Sequence, residues 1–180
     1  MDEVARYNRA RWEALAAANA LFTRPALDLD PRAARARVDP EGLFGEIAGK
    51  DVLCLASGGG QQSVAFALLG ARVTVVDLAA AQLDRDRAAA AHHGVAVATV
   101  QADMRDLAPL PAGAFDLVYH PYALNFVPEA APVFREVARV LRPGGHYYLQ
   151  CGNPFVSGLG TGDWNGAGYT LRHPYAAGAA

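Results

Sequence analysis

The sequence predicts an α/β fold, doubly wound, built on a mostly parallel five-stranded sheet with helices on both faces. Three observations carry that expectation. From Asp51 onward, short apolar runs alternate with segments of helical period. The first apolar run, Val52 to Ala56, passes directly into a glycine turn, Ser57-Gly58-Gly59-Gly60, and then into a helix-forming stretch. Acids stand at the ends of the second and third runs, Asp77 and Asp103. Strands alternating with helices require right-handed crossovers, which produce a parallel sheet covered on both faces. With 180 residues, 52% hydrophobic and 19% charged, the chain can bury one core, so one domain is expected.

The elements follow in order. Val4, Tyr7, Arg11, Trp12, Leu15, Asn19 and Phe22 recur at three- and four-residue intervals in an alanine-rich stretch, which predicts an amphipathic helix over 2–22. Pro25, Pro31 and Pro40 then cut the chain into short pieces, loosened by Gly42, Gly45 and Gly49. Strands are expected at 51–56, 71–77, 95–101, 115–119 and 145–151, and helices at 61–69, 79–92 (closed by Gly94) and 128–142. The stretch from Asp103 to Pro111 is too short for a full helix and reads as a degenerate crossover turn. After Cys151, repeated glycines mixed with Phe155, Trp164, Tyr169, His173 and Tyr175 predict a loop-rich tail over 152–180 that packs through its rings.

Composition excludes several classes. The formal charge is -2 with both signs interspersed, so nucleic acid is not an expected partner. Apolar runs are interrupted well before a membrane-spanning length, and the N-terminus carries acids and Trp12 where a signal peptide needs a basic start and an apolar centre. A cytoplasmic protein with no membrane partner is expected. Cys54 and Cys151 fall in predicted buried strands and read as small hydrophobes, and no Cys/His pair has zinc spacing, so no metal is expected. His92 and His93 suit a helix C-terminus, and Asp106 and Asp116 read as turn-holding residues.

A strand, a tight glycine turn and a helix, with an acid capping the next strand, describe a nucleoside-binding pocket. Glycine admits ligand close to the backbone, and the Asp77 carboxylate can accept two hydrogen bonds from a ribose diol. A dinucleotide dehydrogenase would share these two features, but the chain carries no evident hydride-transfer pair.

Over about residues 40–155 the chain resembles the class I S-adenosylmethionine-dependent methyltransferases. Four motifs carry the likeness: Ala56 to Gly60, Asp77, Gln101-Ala102-Asp103-Met104, and Phe115-Asp116-Leu117-Val118-Tyr119-His120 followed by Val140-Leu141-Arg142-Pro143-Gly144-Gly145. The resemblance implies a Rossmann-like core that binds S-adenosyl-L-methionine and releases S-adenosyl-L-homocysteine. It implies N-terminal lid helices over 1–48, a cofactor-binding core over 49–151 and the tail beyond. The implied cofactor contacts are Tyr7, Trp12, Ala56, Ser57, Gly58, Gln61, Gln62, Asp77, Leu78, Gln82, Asp103, Met104 and His120. His120-Pro121-Tyr122 partly matches a pattern of amino-directed members, making His120 and Tyr122 the catalytic candidates. Tyr122, Asn125, Phe126 and Trp164 are the expected small-molecule substrate contacts, with Tyr169 and His173 closing the rim from the tail.

The chain also departs from the family pattern. Cys54 stands where an acid is frequent, and Ala56 where a glycine is. That acid helps organise the turn around the cofactor amine, so its hydrogen bond must come from elsewhere; Ser57, Gln61, Gln62 and the His120 carbonyl are the candidates. The family sheet usually adds two strands after the fifth, so the expectation is a small-core form or a truncated product, whose open fifth-strand edge and tail favour a homodimer. The acceptor implied is a small molecule, with nitrogen of an aromatic or alkaloid-like secondary metabolite ahead of a phenol oxygen. A non-catalytic cofactor-binding module and a protein-directed methyltransferase stand as further readings.

Overall fold

The computed structural model describes residues 1–153 and 164–170. Strands β1 (Asp51–Leu55), β2 (Arg72–Asp77), β3 (Val97–Gln101), β4 (Phe115–Pro121) and β5 (Leu141–Gln150) form one parallel sheet in the order β3-β2-β1-β4-β5. The chain steps outward from β1 to β3, then returns to place β4 on the other side of β1. That reversal opens a crevice beyond the C-terminal ends of β1 and β4, where open α/β sheets hold ligands.

Side-chain alternation along β1 divides the core in two. Val52 and Cys54 face one layer with Val38, Phe66, Val75 and Tyr119, whereas Leu53 and Leu55 face the other with Val76, Val118, Val133 and Val137. Helices α2 (Pro31–Val38) and α3 (Gln62–Leu68) cover the first face, and α5 (Ala131–Val140) the second. Helix α4 (Ala80–His93) packs on β2 and β3, and α1 (Glu3–Ala17) lies against α4. No helix among the described residues is long and apolar enough to cross a membrane.

The five strands and the three core helices lie where the sequence places them, within a few residues at their ends. Gly94 closes α4 in the left-handed conformation, as expected of a glycine C-cap. Four expectations are corrected. The N-terminal helix stops at Ala17 rather than 22, because Asn19 turns left-handed at φ 50° and Leu21–Thr23 forms a separate 3-10 turn. Pro31 starts a helix instead of only breaking the chain: it occupies the first helical turn of α2 and Asp30 caps it, accepting from the Ala33 amide at 2.7 Å. Cys151 is exposed rather than buried, because β5 ends at Gln150. Helix α5 ends at Val140, two residues early, where Arg142 precedes Pro143 and the backbone turns extended. The stretch between β3 and β4 holds no helix, and Glu136 of α5 anchors it by accepting from the Leu107 amide at 2.8 Å. Tail residues Phe155, Val156, Leu159, His173 and Tyr175 lie outside the described residues.

Phe66 is fully buried on α3, its ring 5.1 Å from Tyr119 and 6.3 Å from Phe44. Phe66→Ala removes the centre of this aromatic group and should cost about 3–5 kcal/mol. Urea denaturation should show a lower midpoint at unchanged slope; an unchanged midpoint would mean that the layer between α3 and the sheet is not the tightly packed one described.

Candidate active site

At the C-terminal ends of β1, β2 and β4 lies a cavity of about 340 Å³. Its floor is the turn Ala56, Ser57 and Gly58, its walls include Asp77, Leu78, Gln82, Asp103 and Met104, and Trp12, Phe22, Tyr122 and Phe126 border it with rings.

The turn is held by two carboxylates. Asp77 accepts from the Gly58 amide at 3.0 Å through one oxygen and from the Ala79 amide at 2.9 Å through the other. Asp86, fully buried on α4, accepts from the amides of Gly59 at 2.9 Å and Gly60 at 3.0 Å and from the Ser63 hydroxyl. Burial pushes Asp77 above the usual carboxylate range despite its amide partners. Burial likewise pushes Asp86 up to about 6, against the pull of Ser63 and the two glycine amides. The glycines are required: a Cβ on Gly58 would meet Asp77 Oδ2 at 2.9 Å, and one on Gly60, at φ 72°, would meet the Arg85 carbonyl at 2.7 Å. Ala56 enters the turn left-handed at φ 47°, a conformation that explains why a glycine is frequent there.

Helix α1 roofs this cavity and is tied down on several sides. Arg105 bridges Asp2 at 2.6 Å and Asp103 at 2.6 Å. Asn8 donates to the Phe126 carbonyl at 2.7 Å, and Glu13 caps α4 by accepting from the Ala80 amide at 2.7 Å. Arg85 donates to the carbonyls of Ala16 and Thr23. Trp12 stands edge-on to Phe22 and Phe126, with centroids 5.8 and 5.6 Å away. Gln61 reaches up to the carbonyls of Phe22 and Arg24, at 2.9 and 2.8 Å, so the turn and the roof share hydrogen bonds.

Trp12, Ala56, Ser57, Gly58, Gln61, Gln62, Asp77, Leu78, Gln82, Asp103, Met104, Tyr122 and Phe126 therefore converge on one cavity. Tyr7, Asn125, Trp164 and the His120 side chain do not line it. Tyr7 points to solvent because the inward stripe of α1 is Ala5, Asn8 and Trp12, and a residue two steps from Ala5 faces away. Asn125 is exposed on the 3-10 turn Ala123–Phe126. Trp164 is exposed and pairs instead with Tyr169, ring centroids 5.0 Å apart. His120 is fully buried, its Nδ1 2.8 Å from the Tyr147 hydroxyl, and burial lowers it to about 4, so its imidazole is neutral near pH 7. For Asp103, burial raises the carboxyl but the Arg105 hydrogen bonds outweigh it and the net displacement is downward.

Sequence reading missed Asp86, Asn8, Glu13, Phe22 and Arg105 as parts of the site. Asp86 had a signal: it lies with Leu83 and Ala90 at spacings of three and four, on the buried stripe of α4, although the run Asp84-Arg85-Asp86-Arg87 looks like a solvated face.

A family model described as a methyltransferase domain matches residues 53–149. The chain is 43% identical over 117 residues to the uncharacterized methyltransferase YbaJ of Bacillus subtilis, covering 65% of this chain and 46% of that protein. It is 38% identical over 105 residues to a ubiquinone biosynthesis O-methyltransferase of Marinobacter nauticus, covering 57% and 44%. Among solved structures, an S-adenosylmethionine-dependent methyltransferase from Mesorhizobium loti superposes with a TM-score of 0.59 at 30% identity over 74% of this chain and 59% of that one. The chain spans about half the length of the curated relatives it matches.

The raised carboxyl of Asp86 makes a signed prediction for stability. Folded Asp86 titrates near 6 against an ordinary value of 3.8, so the folded state takes up its proton first and is favoured as pH falls through that window. About two pKa units correspond to about 3 kcal/mol. In Asp86→Asn that charge is absent, so the stability of the variant relative to the parent should be greatest at neutral pH and shrink by about 3 kcal/mol on acidification to about pH 4. The depressed carboxyls Asp51, Asp116 and Glu136 act oppositely in both chains and cancel in the difference. Urea midpoints of both chains across that range are the measurement, and a pH-independent difference would refute the assignment.

Proposed function

Because the chain belongs to the methyltransferase-domain family, we propose that it is an S-adenosyl-L-methionine-dependent methyltransferase acting on a small molecule, with a nitrogen of an aromatic or alkaloid-like secondary metabolite as acceptor. One observation carries the reading: a cavity at the switch point of the sheet whose floor is a glycine turn and whose wall is the buried carboxylate of Asp77. The residues present suit the cofactor. A side chain on Gly58 would collide with the Asp77 carboxylate, leaving backbone open to ligand, and Gln82 Oε1 is buried without a protein partner beside the turn. In this proposal Asp77 holds the ribose, Asp103 and Met104 meet the adenine, and Ser57, Gln61, Gln62 and Gln82 serve the amino-acid end.

When bound, the cofactor supplies a methyl group on a sulfonium, an electrophile that needs alignment more than activation. The chain's contribution is accordingly orientation and exclusion of water, which can lower the barrier by roughly 7–11 kcal/mol. Trp12, Phe22 and Phe126 roof the reacting end, and α1 acts as a lid. Tyr122 presents its ring at the mouth, suited to a planar acceptor and to the positive charge that develops on an attacking amine. His120 enters as support for the end of β4 rather than as a base, because its neutral imidazole is buried against Tyr147. Asp103 is committed to Arg105 and Asp77 to the turn, an arrangement that suits an amine, whose proton leaves after transfer, better than a phenol. Transfer to oxygen is the second reading, favoured by the ubiquinone biosynthesis O-methyltransferases among the relatives. The proposal includes a cytoplasmic protein without a nucleic-acid partner, and a homodimer through β5, which borders the sheet.

Calorimetry should detect binding of S-adenosyl-L-homocysteine, and Asp77→Ala should weaken it by about 1.5–3 kcal/mol through loss of hydrogen bonds to a charged group. Labelled methyl transfer to a panel of amines and phenols then separates the nitrogen, oxygen and non-catalytic readings, and absence of binding in the parent chain would reject all of them. Trp12→Ala tests the lid: the affinity should fall by about tenfold while the sheet stays folded, since an aromatic anchor at the cavity is removed. Equal affinity would make α1 plain packing.

A further inference from the structure

The acid that the family commonly carries on the first strand is replaced here by Cys54, which is fully buried and whose thiol burial pushes far above the usual range. A turn of three consecutive glycines still needs its amides satisfied and its shape fixed. The three amides of Gly58, Gly59 and Gly60 all point to carboxylates, the first to Asp77 and the other two to Asp86. Asp86 has no exposed surface and does not line the cavity, so it cannot reach a ligand directly.

We infer that Asp86 is a positioning residue for the cofactor site, supplying from α4 the turn-organising carboxylate that β1 lacks, and that its ionised form is the one that holds the turn ready for ligand. The inference rests on the proposed reading of the turn as the cofactor cradle. A carboxylate accepts from both glycine amides at once, one on each oxygen, and from Ser63 as well. A carboxylic acid or a carboxamide turns one of those oxygens into a donor-bearing group, which faces an N–H donor and breaks the pair. The Gly59 or Gly60 amide then loses its partner, and the backbone lining the ligand shifts.

The titratable groups facing Asp86 are Asp77 from the end of β2 and the Cys54 thiol from β1. Arg85, next to it on α4, directs its guanidinium to the carbonyls of Ala16 and Thr23. Cys54 stays protonated at neutral pH, and like-charge repulsion from Asp77 adds to the burial that makes Asp86 easy to protonate. Acidification therefore weakens binding through Asp86, with the loss expected as pH falls through about 6.

The test is calorimetric titration of S-adenosyl-L-homocysteine into the full chain, Asp86→Asn and Ser63→Ala, at about pH 7 and about pH 5. At neutral pH, Asp86→Asn should bind about tenfold more weakly, the loss of one charge-assisted hydrogen bond, while its melting temperature does not fall, because a buried charge has gone. The fall in affinity between the two pH values should be smaller in Asp86→Asn than in the parent. Ser63→Ala removes one donor to the carboxylate away from the cavity, so it should bring the loss of affinity to a higher pH than in the parent. Parent-like affinity and pH dependence in Asp86→Asn would overturn the assignment, as would a melting temperature that falls in parallel with affinity, the mark of a merely structural residue. Failure of the parent chain to bind the probe would instead reject the cofactor reading itself.

Discussion

Three consecutive glycine amides fastened to two buried carboxylates are the constraint on which the rest of the site depends. Glycines impose no shape of their own, so a run such as Gly58-Gly59-Gly60 would sample many conformations if nothing held it. Asp77 and Asp86 hold it, and burial displaces both upward, so an ionised carboxyl at either position costs stability. The Asp86 bonds also tie the position of α4 to the turn, because Asp86 reaches it from the helix as packed on β2 and β3. That packing also brings Gln82 to the cavity wall and presents the N-terminus of α4 to Glu13 of α1.

The roof is held differently from the floor. Asp2 is half exposed where it meets Arg105, so that ion pair is screened and contributes little to holding α1. The Asn8 bond to the Phe126 carbonyl is likewise on the surface. What closes the cavity is the edge-on packing of Trp12 between Phe22 and Phe126, in which Phe22 is 59% and Phe126 42% exposed. Contacts of this kind are worth about 0.5–1.5 kcal/mol each beyond buried area, small beside the burial that holds β1 and Phe66. Apart from the Arg85 and Glu13 bonds that tie α1 to α4, the roof over the cavity rests on these weak contacts, a distribution of stability suited to a ligand-admitting site.

The order of elements and the location of the crevice were legible because β1 to β4 are short, largely apolar and bounded by turn residues, and because glycine and aspartate stand at strand ends. Asp77 and Asp103 could be singled out for that reason. Asp86 could not be found by motif, since it acts through a contact 26 or 27 residues distant along the chain and sits in a charge run that resembles a solvent-facing surface. Tyr7 was misjudged because a period of three or four residues marks a face without saying which of two adjacent stripes turns inward, and on α1 it is the stripe of Ala5, Asn8 and Trp12. His120 was drawn into the cavity by its neighbours Pro121 and Tyr122. Strand alternation sends its ring the other way, into the layer beneath α5 with Tyr147.

That reversal at the end of β4 bears on the acceptor. Tyr122 follows the strand in the left-handed region, at φ 58°, with its amide donating to the Gln150 carbonyl at 2.7 Å. A tyrosine in that conformation is strained, and the strain persists because the β4–β5 ladder holds Pro121 before it and the 3-10 turn starts at Ala123 after it. The result is a ring turned out at the cavity mouth, 61% exposed, while the His120 imidazole two residues earlier is withdrawn from solvent and neutral. An acceptor that must lose its proton during transfer needs a base at this mouth. For the proposed amine acceptor, attacking through its lone pair, a surface to lie against and a face that tolerates positive charge are enough, and under that proposal the rings of Tyr122 and Phe126 at the cavity border would supply both.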